Sequence, residues 1–218
     1  GENPARWKGN LDMVLPAPNK TKNVKHHKAL PYSQVSSFMV DLRNRSGAAA
    51  KALEFTILTA TRSGEVRGAT WQEIDFSKAE WTIPSERMKA GKEHRIPLSP
   101  KVIELLKGMP VGEANEIIFK APKGGMLSDM SLGAVLKRMK ILVTTHGFRS
   151  TFRDWAGETT DFPREVTEHA LAHQLQDKAE AAYARGTLLV KRRKLMEAWS
   201  IYCSKIQDIQ ADILQLRK

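Results

Sequence analysis

Apolar residues first recur at helical spacing just beyond Pro31, where Val35, Phe38, Met39 and Leu42 follow Ser33, a side chain fit to cap a helix N-terminus. This pattern predicts an amphipathic helix ending near Asn44, with Gly47 separating it from a second over about 48–60. The second is rich in Ala and Leu and apolar on most sides (Leu53, Phe55, Ile57, Leu58), as a central helix would be. The period then changes. Trp71–Asp75 and Glu80–Pro84 alternate apolar with polar positions around a Ser77-Lys78 turn, and Arg95–Leu98 offers a third short strand. Helical patterns return near Pro100–Lys107, Ser128–Lys140, Gly147–Ala156, Pro163–Ala170 and Ala179–Ala184, followed by a long one from Leu188 to Leu216. The expected fold is mainly α with a small antiparallel three-stranded sheet.

Residues 1–30 lack such periodicity, and Lys20, Lys22, Lys25 and Lys28 interrupt anything that could pack. They read as an extended basic arm or interdomain linker, 31–187 as the main domain and 188–218 as a helical tail. The start at Gly1 without methionine reads as an excised fragment. The tail's Leu195, Met196, Trp199, Ile206, Ile209 and Leu216 fit packing in cis, with docking on a neighbouring protomer left open as the alternative, whereas Lys191-Arg192-Arg193-Lys194 reads as a solvated helix face.

Charge narrows the class of partner. The 218 residues carry a formal net charge of +11, which points to a polyanion, most economically nucleic acid. No apolar run approaches the roughly 20 residues of a spanning helix and no signal-peptide pattern opens the chain, so a cytoplasmic protein with no membrane partner is expected. Cys203 is the only cysteine, which excludes an internal disulfide and a cysteine-rich zinc site.

Several polar residues suit phosphate chemistry. In His146-Gly-Phe-Arg149, a helix starting at this point sets imidazole and guanidinium on one face near the positive end of its dipole. Arg62, in Thr61-Arg-Ser-Gly-Glu65, follows a buried helix, and two arginines on separate rigid elements can clamp both non-bridging oxygens of a phosphodiester. Lys89 sits at a basic hairpin tip with Lys92, His94 and Arg95, where a lysine can protonate a leaving oxygen or simply discourage strand pairing. His173, in His169-Ala-Leu-Ala-His173, and Tyr183 add an imidazole and a phenol able to form a covalent intermediate. Taken singly these are ordinary residues. Histidines are commonly structural, and Tyr32 and Tyr202 compete with Tyr183 for the nucleophile.

Their order settles the choice. Thr61-Arg62-Ser-Gly-Glu65, Lys89 eight residues before Pro97, His146-x-x-Arg149, Leu171-Ala-His173 and Ala182-Tyr183 resemble, box by box, the catalytic domain of tyrosine recombinases, the phage integrase family. The string from His146 to Trp155 is similar to integrases of satellite prophages and genomic islands. The opening Asn3-Pro4 and Lys25-His26-His27 through Tyr32 resemble the linker after that subgroup's core-binding domain, and arm-site and core-binding domains are expected to be missing.

The resemblance implies two-step transesterification without metal or cofactor. Tyr183 attacks a scissile phosphate, forms a 3′-phosphotyrosyl bond and releases a 5′-hydroxyl that later reverses the step on another strand. Arg62 and Arg149 stabilise charge on the phosphoryl oxygens, Lys89, ahead of Lys92, protonates the leaving oxygen, His146 and His173 assist proton transfer and positioning, and Glu65 orients Arg62. Lys92 and Arg95 are weaker candidates for DNA contact. A phenol of pKa about 10 is a poor nucleophile, so this demand for donors is physically reasonable. The implied partners are double-stranded DNA at attachment sites, a homotetramer on DNA that is monomeric when free, an excisionase and DNA-bending host factors, with nucleoid association in the bound state. A cleavage-inactive DNA-binding regulator of the same fold is the alternative.

Overall fold

The computed structural model describes residues 3, 6–14, 27–173 and 188–205. Near the start of the chain the arm holds local structure, a kinked turn at Trp7–Leu11 in which Lys8 and Gly9 are non-helical, running into α1 (Asp12–Val14), where the sequence suggested only extended chain. Helix α2 (Val35–Arg43) buries Val35, Phe38, Met39 and Leu42, as its pattern requires. Ser33 does not cap it: Tyr32–Gln34 form a 3-10 turn, and no side chain bonds the first helical amides. Helix α3 (Ala48–Thr59) lies at the centre with most of its residues buried, and packs against α2 and the later helices. It stops at Ala60, which adopts a left-handed conformation with φ 53°.

A short helix α4 (Ser63–Arg67) follows, then β1 (Ile74–Asp75), β2 (Glu80–Ile83) and β3 (His94–Pro97) in an antiparallel sheet of order β1-β2-β3. Trp81 pairs with both Ile74 and Ile96, and Ile83 with His94. The first strand is shorter than its alternation suggests. Trp71–Glu73 form a 3-10 turn because the amides of Trp71 and Gln72 donate to the carbonyls of Glu116 and Ala114, not to β2. At the β1–β2 turn the Asp75 carboxylate accepts from Ser77 Oγ at 2.6 Å and the Lys78 amide at 2.9 Å, which fixes the hairpin.

Helix α5 (Pro100–Lys107) starts on Ser99, whose hydroxyl accepts from the Val102 amide, with proline at the first helical position. Helices α6 (Ser131–Arg138), α7 (Gly147–Thr159) and α8 (Arg164–Ala170) follow. Lys140, left-handed at φ 58°, closes the turn that ends α6 short of its predicted span.

Helix α9 (Leu189–Tyr202) belongs to the same core. Trp199 is fully buried, donates from its indole to the Ile57 carbonyl at 2.8 Å and packs edge-on to Phe152 at 5.4 Å. The tail therefore begins by packing in cis, while Ile206, Ile209 and Leu216 lie outside the described residues. Its basic run is not a uniformly solvated face. Arg192 is 3% exposed and donates to the Arg95 carbonyl, and Arg193 bonds the Ala79 carbonyl and the Glu80 carboxylate. Among the described residues no helix is long and apolar enough to cross a membrane.

Candidate active site

Helix α7 delivers Arg149 from its first turn. Thr144 Oγ1 accepts the Gly147 amide at 3.0 Å, fixing where the helix starts, and three residues from His146 brings Arg149 inward. Arg149 is 4% exposed and spends its guanidinium on two backbone carbonyls, Nη1 to Ala60 at 2.6 Å and Nη2 to Leu171 at 2.5 Å. The left-handed Ala60 and the end of α8 thus form a socket. Burial, then the charge of Arg62, lowers the Arg149 pKa to about 10, which still leaves it charged at neutral pH.

The same Nη2 lies 3.1 Å from His173 Nε2, and His173 Nδ1 lies 2.7 Å from Glu168 Oε2. These neighbours define the tautomer. A guanidinium can only donate, so Nε2 accepts, and the ring proton resides on Nδ1 and is donated to Glu168. Burial lowers the His173 pKa and Arg149 adds to this, while the Glu168 hydrogen bond opposes it with the smaller effect, so the ring is neutral at pH 7. Glu168 is held in turn by Arg153 at 2.8 Å.

Arg62 arrives from the N-terminus of α4. Glu65 grips it twice, accepting from the Arg62 amide and from Nη1, both at 2.8 Å. Arg87 donates to the Glu65 carbonyl and to Glu73, tying α4 to the sheet. Electrostatics joins these groups into one cluster. Burial first, then Arg149, His27, Arg62 and His173, hold His146 below the ordinary imidazole value, and Arg62 also acts on His173 and Arg149.

The structure therefore brings together Arg62, Glu65, His146, Arg149 and His173, from α4, α7 and the end of α8. It does not bring Lys89 to them. Lys89 is exposed on the turn closed by the Gly91 amide on the Met88 carbonyl, and has no side-chain hydrogen bond or ion pair among the described residues. Lys92 is exposed on the same loop, whereas Arg95 pairs with Glu80 at 2.5 Å. Tyr183 lies outside the described residues.

Sequence reasoning missed three members of this environment. Glu168 orients His173, and nothing but a charged position on an amphipathic helix announced it. His94, read as part of a solvated hairpin, is 9% exposed beneath the arginines, with its ring bonded to the Ala170 backbone and Nε2 buried without a hydrogen-bond partner. The alternation of β3 was the available signal. His27, from the arm, packs on His146 with ring centroids 4.5 Å apart.

A helical domain with a marginal three-stranded sheet, which gathers two arginines and two histidines around the buried Arg149, is a tyrosine-recombinase catalytic domain. The chain belongs to the phage integrase family, whose model matches residues 28–187. It is 36% identical over 149 residues to the prophage integrase IntA of Escherichia coli K12, covering 66% of this chain and 36% of that protein. It is 30% identical over 200 residues to the integrase of Enterobacteria phage P4, covering 82% of this chain and 46% of that protein. The chain thus spans less than half the length of these two relatives. The solved integrase of mycobacterium phage Brujita shares the fold with a TM-score of 0.60 at 18% identity, covering 93% of this chain and 67% of that one.

Proposed function

We propose that the chain cuts and rejoins double-stranded DNA as the catalytic part of a site-specific integrase that inserts or excises mobile DNA. The observation that carries this reading is the meeting of Arg149 and His173 at 3.1 Å within reach of the charge of Arg62. Such a cluster is built for a phosphodiester: guanidinium forks match its non-bridging oxygens, and donors fixed before the reaction stabilise the growing charge without reorganisation.

In the proposed step Tyr183 Oη attacks phosphorus, the P–O5′ bond breaks as the P–O(Tyr) bond forms, and the 3′-phosphate remains on the tyrosine. The phenolic proton passes to a neutral imidazole; His173 Nε2, unprotonated in this tautomer, takes it on giving up the hydrogen bond from Arg149. Lys89 gives a proton to the departing 5′-oxygen. Glu65 and Glu168 hold Arg62 and His173 in place. The net charge of +11 supplies sequence-independent attraction to DNA. The full reading includes a monomer that assembles as a homotetramer at attachment sites, with an excisionase and DNA-bending host factors, in the cytoplasm and on the nucleoid when bound.

The test uses nicked duplexes tiled across the sequences flanking this gene, with covalent protein–DNA adducts trapped by denaturation and mapped by peptide mass. A 3′-phosphotyrosyl linkage at Tyr183, lost in Tyr183→Phe, is the expected result. Efficient, specific DNA binding with no adduct on any duplex would favour the cleavage-inactive regulator.

A further inference from the structure

Four residues of the arm cross the N-terminus of α7 at backbone contact. The Lys28 carbonyl accepts the Thr144 amide at 3.0 Å and lies 3.4 Å from the Thr144 hydroxyl, the same hydroxyl that caps Gly147. The Leu30 carbonyl accepts Thr151 Oγ1 at 2.6 Å, and the Leu30 side chain is buried. Between these two anchors the chain passes so close to Gly147 that a Cβ there would sit 2.1 Å from the Lys28 carbonyl oxygen and 2.9 Å from Ala29 Cα. Backbone cannot yield to that overlap, so the glycine between His146 and Phe148 is required by the crossing. At its upstream end the crossing places the His27 ring against His146, centroids 4.5 Å apart at 51°.

This contact concerns the exposed His146. Arg149, His173 and Arg62 are each held by named hydrogen bonds, whereas the His146 side chain has no hydrogen bond among the described residues and packs against His27. We propose that residues 27–30 form a strap that sets the orientation and ionisation of His146, with His27 as a positioning residue for that imidazole. The inference rests on the reading of His146 as part of the reaction centre. The groups acting on His146 are Arg149, His27, Arg62 and His173, all of which, with burial, favour its neutral form. Removing the His27 ring uncovers one side of His146 and deletes one of those influences. His146 then moves towards the ordinary imidazole pKa and samples more orientations.

The experiment has two arms on the same purified chain. In the first, the His146 Cε1–H resonance, assigned by its loss in His146→Gln, is followed by NMR from pH 5 to 8. His27→Ala is expected to move its chemical shift and raise its midpoint on the order of half a unit, and His27→Phe, which keeps a ring there, to return most of the change. In the second, single-turnover adduct formation on the nicked duplexes is expected to slow about tenfold in His27→Ala with DNA affinity unchanged, and to recover in His27→Phe. An unmoved His146 shift and midpoint in His27→Ala overturns the strap. A moved midpoint with a wild-type adduct rate overturns the positioning role. If the wild-type chain forms no adduct, the proposed reaction fails instead, and the titration alone decides the strap.

Discussion

The arginine–histidine cluster and the Met88–Glu93 loop are two parts of one proposed reaction centre, built on opposite principles. In the cluster almost every polar group is committed: Arg149 to the carbonyls of Ala60 and Leu171 and to His173, His173 to Glu168, Arg62 to Glu65. In the loop Lys89 and Lys92 are exposed, and Lys89 has no side-chain partner among the described residues. The difference fits the tasks proposed for the two parts. Groups that stabilise charge gain from being fixed before the reaction, because no reorganisation is then needed at the transition state. A proton donor must reach a leaving oxygen whose place depends on the bound DNA, and a loop tip on a rigid sheet can adjust to it.

Breaking the fixed half has the largest expected effect. Arg149→Ala should lower single-turnover cleavage at least ~1000-fold, in the upper range for removal of one oxyanion donor, since it also loosens His173. It should cost stability as well, because the Ala60 and Leu171 carbonyls lose their donor, at about 1–3 kcal/mol for each one left unsatisfied. Adduct formation and urea unfolding measure the two. A loss of activity below about tenfold would remove Arg149 from the centre. Breaking the exposed half should separate the two readouts. Lys89→Ala is expected to slow cleavage roughly 100-fold or more, as loss of a general acid does, and to leave stability within about 0.5 kcal/mol. A DNA strand with sulfur in place of the bridging 5′-oxygen needs no proton to leave and should restore the rate. Lys92→Ala should stay near wild type, and if it alone is rescued by sulfur, the acid is Lys92.

How far the sequence revealed this arrangement depends on how local each feature is. Helices α2, α3 and α5 were legible because Val35, Phe38, Met39 and Leu42, or Ser99 followed by Pro100, carry their own periodicity and caps. The five residues that converge were legible only as motifs in order, since their meeting is made by long-range bonds such as Arg149 to Ala60. What escaped was whatever depends on tertiary neighbours. The first turn of the expected strand at Trp71 was drawn away by the 113–117 segment, and the expected cap at Ser33 bonds no helix amide because Tyr32–Gln34 form a 3-10 turn. His94 and Arg192 were misread for one reason: charge or polarity in a short window does not show which side chains the sheet and α9 enclose.

His94 offers a smaller and purely thermodynamic test of the buried half. Burial, then Arg192, with lesser effects of Arg149 and Arg62, pushes its pKa down to about 3 against a hydrogen bond to the Ala170 backbone that opposes the shift. An unfolded chain takes up this proton near pH 6.5 and the folded one does not until about pH 3, so the stabilising contribution is complete above about 6.5 and is lost progressively as pH falls towards about 3. By pH 5 the loss is roughly 2 kcal/mol from this group. Urea unfolding between pH 7.5 and 5 should show a steeper decline for wild type than for His94→Leu. Parallel declines would mean that His94 is solvated and does not underlie the cluster.

A small effect is expected at Arg193, and it decides whether the basic run of α9 belongs with the fixed half or with the proposed DNA surface. Arg193 pairs with Glu80 at 2.9 Å while its side chain remains 38% exposed, so solvent screens the pair and Arg193→Ala should cost less than about 1 kcal/mol. Glu80 keeps Arg95 as a partner in the variant, which softens the loss further. Because the guanidinium already serves the Glu80 carboxylate and the Ala79 carbonyl, it is not free to neutralise a phosphate. The slope of log affinity against log salt should therefore be unchanged on nonspecific duplex DNA. A phosphate contact would lower that slope by about one, and such a drop in Arg193→Ala would transfer this stretch of α9 from the scaffold to the nucleic-acid surface.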